Sequence, residues 1–489
     1  MRHNYVHYGS PQFRVLSDSQ LEELHLAVLQ ILERTGVSFT NCQEALRILG
    51  EAGADISNPD RVKIPSYLVE QALRTAPKTI TLYSRDGEPA MVLNGMTGSH
   101  FGGIAVGPHY LDPYTRKPRL TYAQDIADAA LVVDALPNLE WIINCGIQRT
   151  VPDSIAEVAS LLQVIRNTSK PIAVAINEVS GIREMIELCS IVAGGEEQLR
   201  KKPFLIGSSE PVSPLTQEKE AVEISLICAE KGIPNFVYSM PLAGATTPAT
   251  WPGVLVIPTA EFLSQLVVIQ LKYPGAPVIF GSMPNIMDMK TTIYPYGAPE
   301  LSLLVAALTE MVHCYGLPML GTAGCTDADM IGAQAAAEAT YGIFMSALSG
   351  ADFVHDVGLM YHGTMASPEL TVLCDEIIGM VKVSMGGIEI NEDTLPLDLI
   401  EKKGPRANYI SEKHTLKHFR NFWAPKLFDR SVTKKGKTGN CEELVNKDTI
   451  KILETHQPKP LPDDVLKELK KVEADWFKRA GIKEYSKKS

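Results

Sequence analysis

The 489-residue chain lacks most of the features that settle a class early. Basic residues are in deficit: 46 Lys and Arg face 57 Asp and Glu, for a net charge of −11. A nucleic-acid groove needs clustered Lys and Arg against phosphate, so this balance argues against one and permits a cationic ligand. No stretch reaches 18 uninterrupted apolar residues, so no membrane span is expected. The first ten residues are polar and hold no signal-peptide core. The eight cysteines form no C-x-x-C pair and mostly sit inside apolar patterns, which suits buried thiols in a reduced, cytoplasmic protein. G-x-G-x-x-G, G-x-x-x-x-G-K-[ST], H-E-x-x-H and G-x-S-x-G are all missing. The glycines around Gly102, Gly103 and Gly107 have neither the spacing nor the context of a dinucleotide loop. His313, Cys314 and Cys325 are poor zinc ligands, because the pattern puts Cys314 in a helix and Cys325 just past a strand. Arginine is absent between Arg200 and Arg406, so this half of the chain offers no guanidinium clamp for a phosphate or carboxylate.

What is present is a repeat. Short apolar segments start at Leu139, Pro171, Pro203, Pro234, Pro277, Pro318 and Ala351, and each gap holds one amphipathic helical stretch. Continuous apolar runs suit parallel strands buried on both faces, joined by right-handed crossovers. Gly194, Gly232, Gly275, Gly316 and Gly350 fall where helices should stop. Proline follows closely after three of these, at a first strand position where it is tolerated. His100–Gly107 supplies an eighth strand. The expected fold is α/β: a TIM-type (β/α)8 barrel over residues 91–385. An N-terminal helical region covers 1–90, and a C-terminal helical extension covers 386–489.

A barrel of this type places its chemistry at the C-terminal ends of the strands. Asn144, Asn177, Glu210, Ser239, Ser282, Thr322, His355 and Asp356 stand there. Aromatics cluster near the same ends and in the loops that follow: Phe101, Tyr110, Tyr238, Trp251, Phe280, Tyr294, Tyr296 and Tyr361. Aromatic faces beside Glu210 are the materials of a cage for a quaternary ammonium.

Several stretches together resemble the trimethylamine methyltransferase (MttB) superfamily of corrinoid-dependent methyltransferases. They are Tyr110–Thr115, Ala135–Asn138, Thr168–Pro171, Pro241–Thr246, Ala351–Asp356, Cys374–Ile377, Leu416–Arg420 and Trp423–Arg430. The resemblance runs through nearly the whole chain and implies methyl transfer from an amine to Co(I) of a separate corrinoid protein. Founding members of the family carry pyrrolysine, whereas this sequence has only standard residues. That places it with the branch acting on quaternary amines such as glycine betaine, proline betaine, carnitine or γ-butyrobetaine.

On this reading no cofactor is tightly bound, because the corrinoid (cobalamin) arrives on its cognate partner protein. The absence of a D-x-H-x-x-G cobalamin signature agrees with that. The expected catalytic residues are His355, Glu210 and Asp356, with Glu210 setting the local potential and Asp356 fixing the His355 tautomer. Phe101, Tyr110, Asn144, Asn177, Tyr294, Thr322 and Tyr361 are the expected substrate-binding residues. No metal ligand is assigned, and a homo-oligomer is expected. Two rival readings stand beside this one. One is a metal-dependent barrel enzyme using His355, Asp356 and Glu210; the other is a barrel that binds a quaternary amine without catalysis.

Overall fold

A computed structural model describes residues 11–95, 98–104, 107–144, 148–176, 178–430 and 440–485. Eight parallel strands close into a barrel: β1 (His100–Ile104), β2 (Trp141–Asn144), β3 (Ile172–Val174), β4 (Leu205–Ser209), β5 (Asn235–Ser239), β6 (Val278–Ser282), β7 (Met319–Thr322) and β8 (Phe353–Val357). Each strand pairs with its sequence neighbours, and β8 closes onto β1. One helix follows each strand: α1 (Ala123–Ala135), α2 (Asp153–Asn167), α3 (Val179–Ala193), α4 (Lys219–Lys231), α5 (Trp251–Lys272), α6 (Pro299–Cys314), α7 (Ala333–Ser349) and α8 (Pro368–Met385). The expected (β/α)8 architecture is therefore present. The glycine stops work as the pattern implies: Gly232 and Gly350 close α4 and α7 at φ 70° and 78°, a region that costs glycine little.

Strand parity sorts side chains into two layers. Inward residues include Trp141, Ile143, Ala173, Ile206, Phe236, Tyr238, Ile279, Leu320 and Phe353. Outward ones, such as Phe101, Ile142 and Val354, pack against the helices. Trp141 stacks on Phe353 with ring centroids 3.6 Å apart, and its Nε1 donates to the His100 carbonyl at 3.0 Å. A Cβ at Gly102 would lie 2.2 Å from Cε2 of Trp141, so glycine is what lets that indole fill the barrel. An antiparallel hairpin (Ile80–Tyr83 with Pro89–Leu93) plugs the base, adding Leu82, Met91 and Leu93 to the same inner cluster.

The N-terminal helices lean on the barrel. Ser17 and Gln20 cap helix Asp18–Gln30 reciprocally, and its Leu24 and Val28 bury with Leu32 in one cluster with Phe262, Leu263 and Leu304 of α5 and α6. Helix α5 is long and apolar enough to cross a membrane by length and composition, but 83% of its apolar window is buried inside the fold. Beyond the barrel, helices Cys441–Thr455 and Asp463–Ala480 pack against α8, α1, α2 and α3. Arg166 and Glu473 pin the last helix with two hydrogen bonds of 3.0 and 2.8 Å.

Candidate active site

Parity and one irregularity decide which side chains enter the mouth. Ser208, Tyr238, Thr322 and His355 have the inward parity of their strands. Asp356 follows His355 and should point outward. Instead β8 breaks register between Val354 and Val357, and Asp356 sits at φ 72°, a costly conformation for a residue with a Cβ. The kink turns its carboxylate back into the barrel, where Oδ2 accepts from Thr322 Oγ1 at 3.0 Å. The other oxygen lies 2.7 Å from His355 Nδ1. That approach lacks hydrogen-bonding angles, and both ring nitrogens of buried His355 have no hydrogen-bond partner among the described residues. Asp356 therefore faces the ring electrostatically and does not lock its tautomer through a hydrogen bond.

Tyr238 meets the His355 ring edge-on, with centroids 5.3 Å apart and an interplanar angle of 76°. Room for it comes from Gly281 on β6, where a Cβ would lie 2.8 Å from Cδ2 of Tyr238. Glu210, the residue after β4, opens to solvent yet is ringed by protein. Burial raises its carboxyl pKa, and His355 opposes that shift. Burial also pushes the Tyr238 hydroxyl up, with Asp356, Tyr296, Tyr294 and Glu210 adding to it, so these groups share one electrostatic neighbourhood. Tyr294 donates to the Met283 carbonyl at 3.0 Å, and its ring lies 5.0 Å from that of Tyr296.

The rim is stitched by Asp327. Its carboxylate accepts from the Tyr296 and Gly297 amides at 2.8 Å each, and His362 Nδ1 lies 3.0 Å away. Three loops, after β6, β7 and β8, are thereby held together around the tyrosine pair. Behind the mouth, buried Glu261 of α5 shapes the loop that follows Glu210. It accepts from Ser213 Oγ at 3.0 Å and the Leu215 amide at 2.9 Å.

The mouth thus brings together Glu210, Tyr294, Thr322, His355 and Asp356 from the expected set. Phe101 does not join them; it points into the layer between barrel and helices. Tyr110 lies on a hairpin (His109–Asp112 with Lys117–Leu120), buried with the Arg119 guanidinium 5.0 Å from its ring centroid. Asn144 shares the outward parity of Ile142, and its Oδ1 is buried without a partner among the described residues. Tyr361 stands on the rim, half exposed, at φ 48°. Asn177 lies outside the described residues. Ser209 faces outward to Ser225, Asn235 and Gln265. Phe280 likewise packs outward, on Phe262. Tyr238 and Ser208 carry no role in the expected set. Counting by twos from Phe236 and Ile206 along their strands identifies both. Among the described residues no group of three or more His, Cys, Asp or Glu side chains converges as a metal-ligand set. A cleft of about 570 Å³ lined by Thr79, Tyr83, Arg200 and Lys272 lies at the base, opposite this chemistry.

The chain also matches known proteins in sequence and in fold. A sequence profile of trimethylamine methyltransferase (MTTB) matches residues 1–478. The chain belongs to the trimethylamine methyltransferase (MTTB) family. It is accordingly an enzyme of a methyltransferase family. The trimethylamine methyltransferase MttB of Desulfitobacterium hafniense is 33% identical over 460 residues, 93% of this chain and 92% of that one. A glycine betaine methyltransferase of the same species is 29% identical over 429 residues, 86% of this chain and 88% of its own length. The crystal structure of the Methanosarcina barkeri monomethylamine methyltransferase (MtmB) shares the fold. Its TM-score is 0.54, with 11% identity, over 97% of this chain and 90% of that chain.

Proposed function

We propose that the barrel mouth binds a quaternary amine of the betaine type and presents one N-methyl group to a separate corrinoid protein. The observation that carries this reading is the constellation of Tyr238, His355, Asp356, Thr322 and Glu210 at one end of a closed barrel. Tyrosine rings and carboxylates suit a cation that carries no exchangeable proton. A named glycine betaine methyltransferase among the relatives supports the same substrate class.

A quaternary ammonium needs no general acid, because its leaving group is a neutral tertiary amine. The residues therefore position the substrate and exclude water. Positive charge disappears during transfer, so an intense anionic clamp would hold the substrate more tightly than the transition state. Glu210 suits this demand: it opens to solvent, and burial raises its carboxyl pKa while His355 partly offsets that rise. Tyr238, Tyr294 and Tyr296 hold the methylated head softly. His355, whose ring nitrogens have no hydrogen-bond partner among the described residues, remains to read a carboxylate on the substrate, since the half of the barrel from β5 to β8 contains no arginine. The reduced corrinoid supplies the nucleophile that accepts the methyl group. The exposed side chains of Met240, Met289, Met330 and Tyr361, on loops at this end of the barrel, offer an adaptable apolar rim for the protein that carries it. We place the enzyme in the cytoplasm, where a reduced cobalt methyl acceptor and unpaired thiols coexist; the cysteines of the described residues are all free.

Calorimetric titration with glycine betaine, proline betaine, carnitine and γ-butyrobetaine tests the site. One of them should bind, and Tyr238→Leu should weaken it. Equal binding by Tyr238→Leu and wild type would remove the cage from this mouth.

A further inference from the structure

We infer that the turn Tyr361–Thr364 sets the width of the barrel mouth by fixing the ring of Tyr296 from outside. The turn thereby selects which quaternary-amine head is admitted, an inference that rests on the substrate reading above. It joins Leu359–Met360 to Met365–Ala366, an antiparallel pair that follows β8. Three successive residues of the turn have positive φ: Tyr361 at 48°, His362 at 53° and Gly363 at 77°. The first two carry side chains, for which this region is costly, so the turn persists only because its surroundings hold it. The Tyr361 amide donates to the Ala328 carbonyl at 3.1 Å, and the His109 amide donates to the Thr364 carbonyl at 3.0 Å. Thr364 Oγ1 donates to the Tyr361 carbonyl at 2.7 Å, and His362 Nδ1 lies 3.0 Å from the Asp327 carboxylate. The loop after β7 and the hairpin after β1 thus grip the turn together.

What this grip places is the backbone of Gly363. A Cβ there would lie 2.6 Å from the Tyr296 hydroxyl oxygen and 2.7 Å from Cζ and Cε2 of the same ring. Glycine is therefore what lets the phenol end of Tyr296 rest against the turn. The rest of Tyr296 is confined as well. Its amide donates to Asp327 at 2.8 Å, and its ring stands 5.0 Å from that of Tyr294, whose hydroxyl donates to the Met283 carbonyl. The Asp327 amide in turn donates to Glu338 of α7 at 2.9 Å. With its backbone held, Tyr296 answers added bulk at position 363 by turning its ring, which changes the width of the mouth. A pocket separates ligands one methylene apart by about tenfold or more, so a turned ring is enough to re-order amines. Gly363, His362 and Asp327 are positioning residues on this account, because they act through Tyr296.

Calorimetric titration of the intact protein with glycine betaine and proline betaine tests this. The two share a carboxylate and differ in the bulk around nitrogen. Gly363→Ala should change the ratio of their dissociation constants by about tenfold. Tyr296→Leu should change it too. The double variant should match Tyr296→Leu within about twofold, since without the phenol the added methyl group has nothing to push. Asp327→Asn loosens the clamp without adding bulk and should bring the ratio closer to one, with unchanged far-UV circular dichroism. A wild-type ratio in Asp327→Asn and in folded Gly363→Ala would overturn the inference and leave the substrate reading standing. So would effects that multiply in the double variant. Wild-type protein that binds neither amine would also overturn it, together with the substrate reading if carnitine and γ-butyrobetaine fail as well.

Discussion

Replacing Glu261 by glutamine should change how the stability of this enzyme depends on pH, by an amount that follows from the geometry. The carboxyl is fully buried on α5, and its neighbours are hydroxyls and a backbone amide. Burial raises its pKa from 4.5 to about 7, against the opposing hydrogen bonds from Leu215, Ser213 and Ser239. An acid raised in this way keeps its proton longer in the folded chain than in the unfolded one. The folded state binds the extra proton between pH 4.5 and about 7, so stability falls as pH rises through that window. At about 1.4 kcal/mol per pH unit, the loss above pH 7 amounts to about 3 kcal/mol. Glutamine keeps an acceptor for the Leu215 amide and never ionises. Glu261→Gln should therefore exceed wild type by no more than about 1 kcal/mol at pH 5 and by up to about 3 kcal/mol at pH 8. Urea unfolding of both proteins from pH 5 to 8.5 reads this directly. Parallel curves across the range would refute the reasoning. The loop at stake follows Glu210, so the same titration bears on how firmly the mouth holds its carboxylate.

Other expectations are simpler. Glu210→Gln should raise KM for the quaternary amine by tenfold or more, the loss of one charge contact of about 1–4 kcal/mol. Because burial lifts the Glu210 pKa, wild-type KM should also rise as pH falls toward the protonated form, whereas the variant's KM should stay flat. Steady-state kinetics across pH would show both, and a pH-dependent variant would contradict the assignment. Tyr238→Leu removes a ring facing the cation and should raise KM about 3- to 30-fold, from ~0.5–2 kcal/mol of cation–π attraction. Gly102→Ala drives a methyl group into Trp141 and should cost ~1–3 kcal/mol, read as a melting temperature several degrees lower. An unchanged midpoint would mean that the Trp141–Phe353 stack yields freely.

The barrel was legible because its signals are local. Glycine stops, proline starts and apolar runs mark where each unit ends; seven of the eight strands lie within the segments those signals delimit, and β8 runs one residue past its own, to Val357. The site was legible along the barrel axis but not around each strand. A buried parallel strand is apolar on both faces, so the alternation that tells inside from outside is erased. Asn144 sits at the proper height with the wrong parity, and Phe101, second in β1, is near the base as well as turned outward, whereas Tyr238, one residue before the strand's end, points in. Asp356 is the converse case: its sequence position gives it outward parity, and a register break with a positive φ returns it to the mouth. That kink depends on packing among β7, β8 and β1, which no short motif encodes. The Asp327 stitch across three loops is also tertiary, since its partners Tyr296, Gly297 and His362 lie some thirty residues away on either side.

The most direct test mixes the purified enzyme with a reduced corrinoid protein of proven competence. The visible spectrum is followed while quaternary amines are added one at a time. Loss of the reduced corrinoid's spectrum with one amine, together with release of the matching tertiary amine, is the predicted result. Binding of an amine with no spectral change and no product, for every amine tried, would contradict methyl transfer and leave a barrel that only binds its ligand.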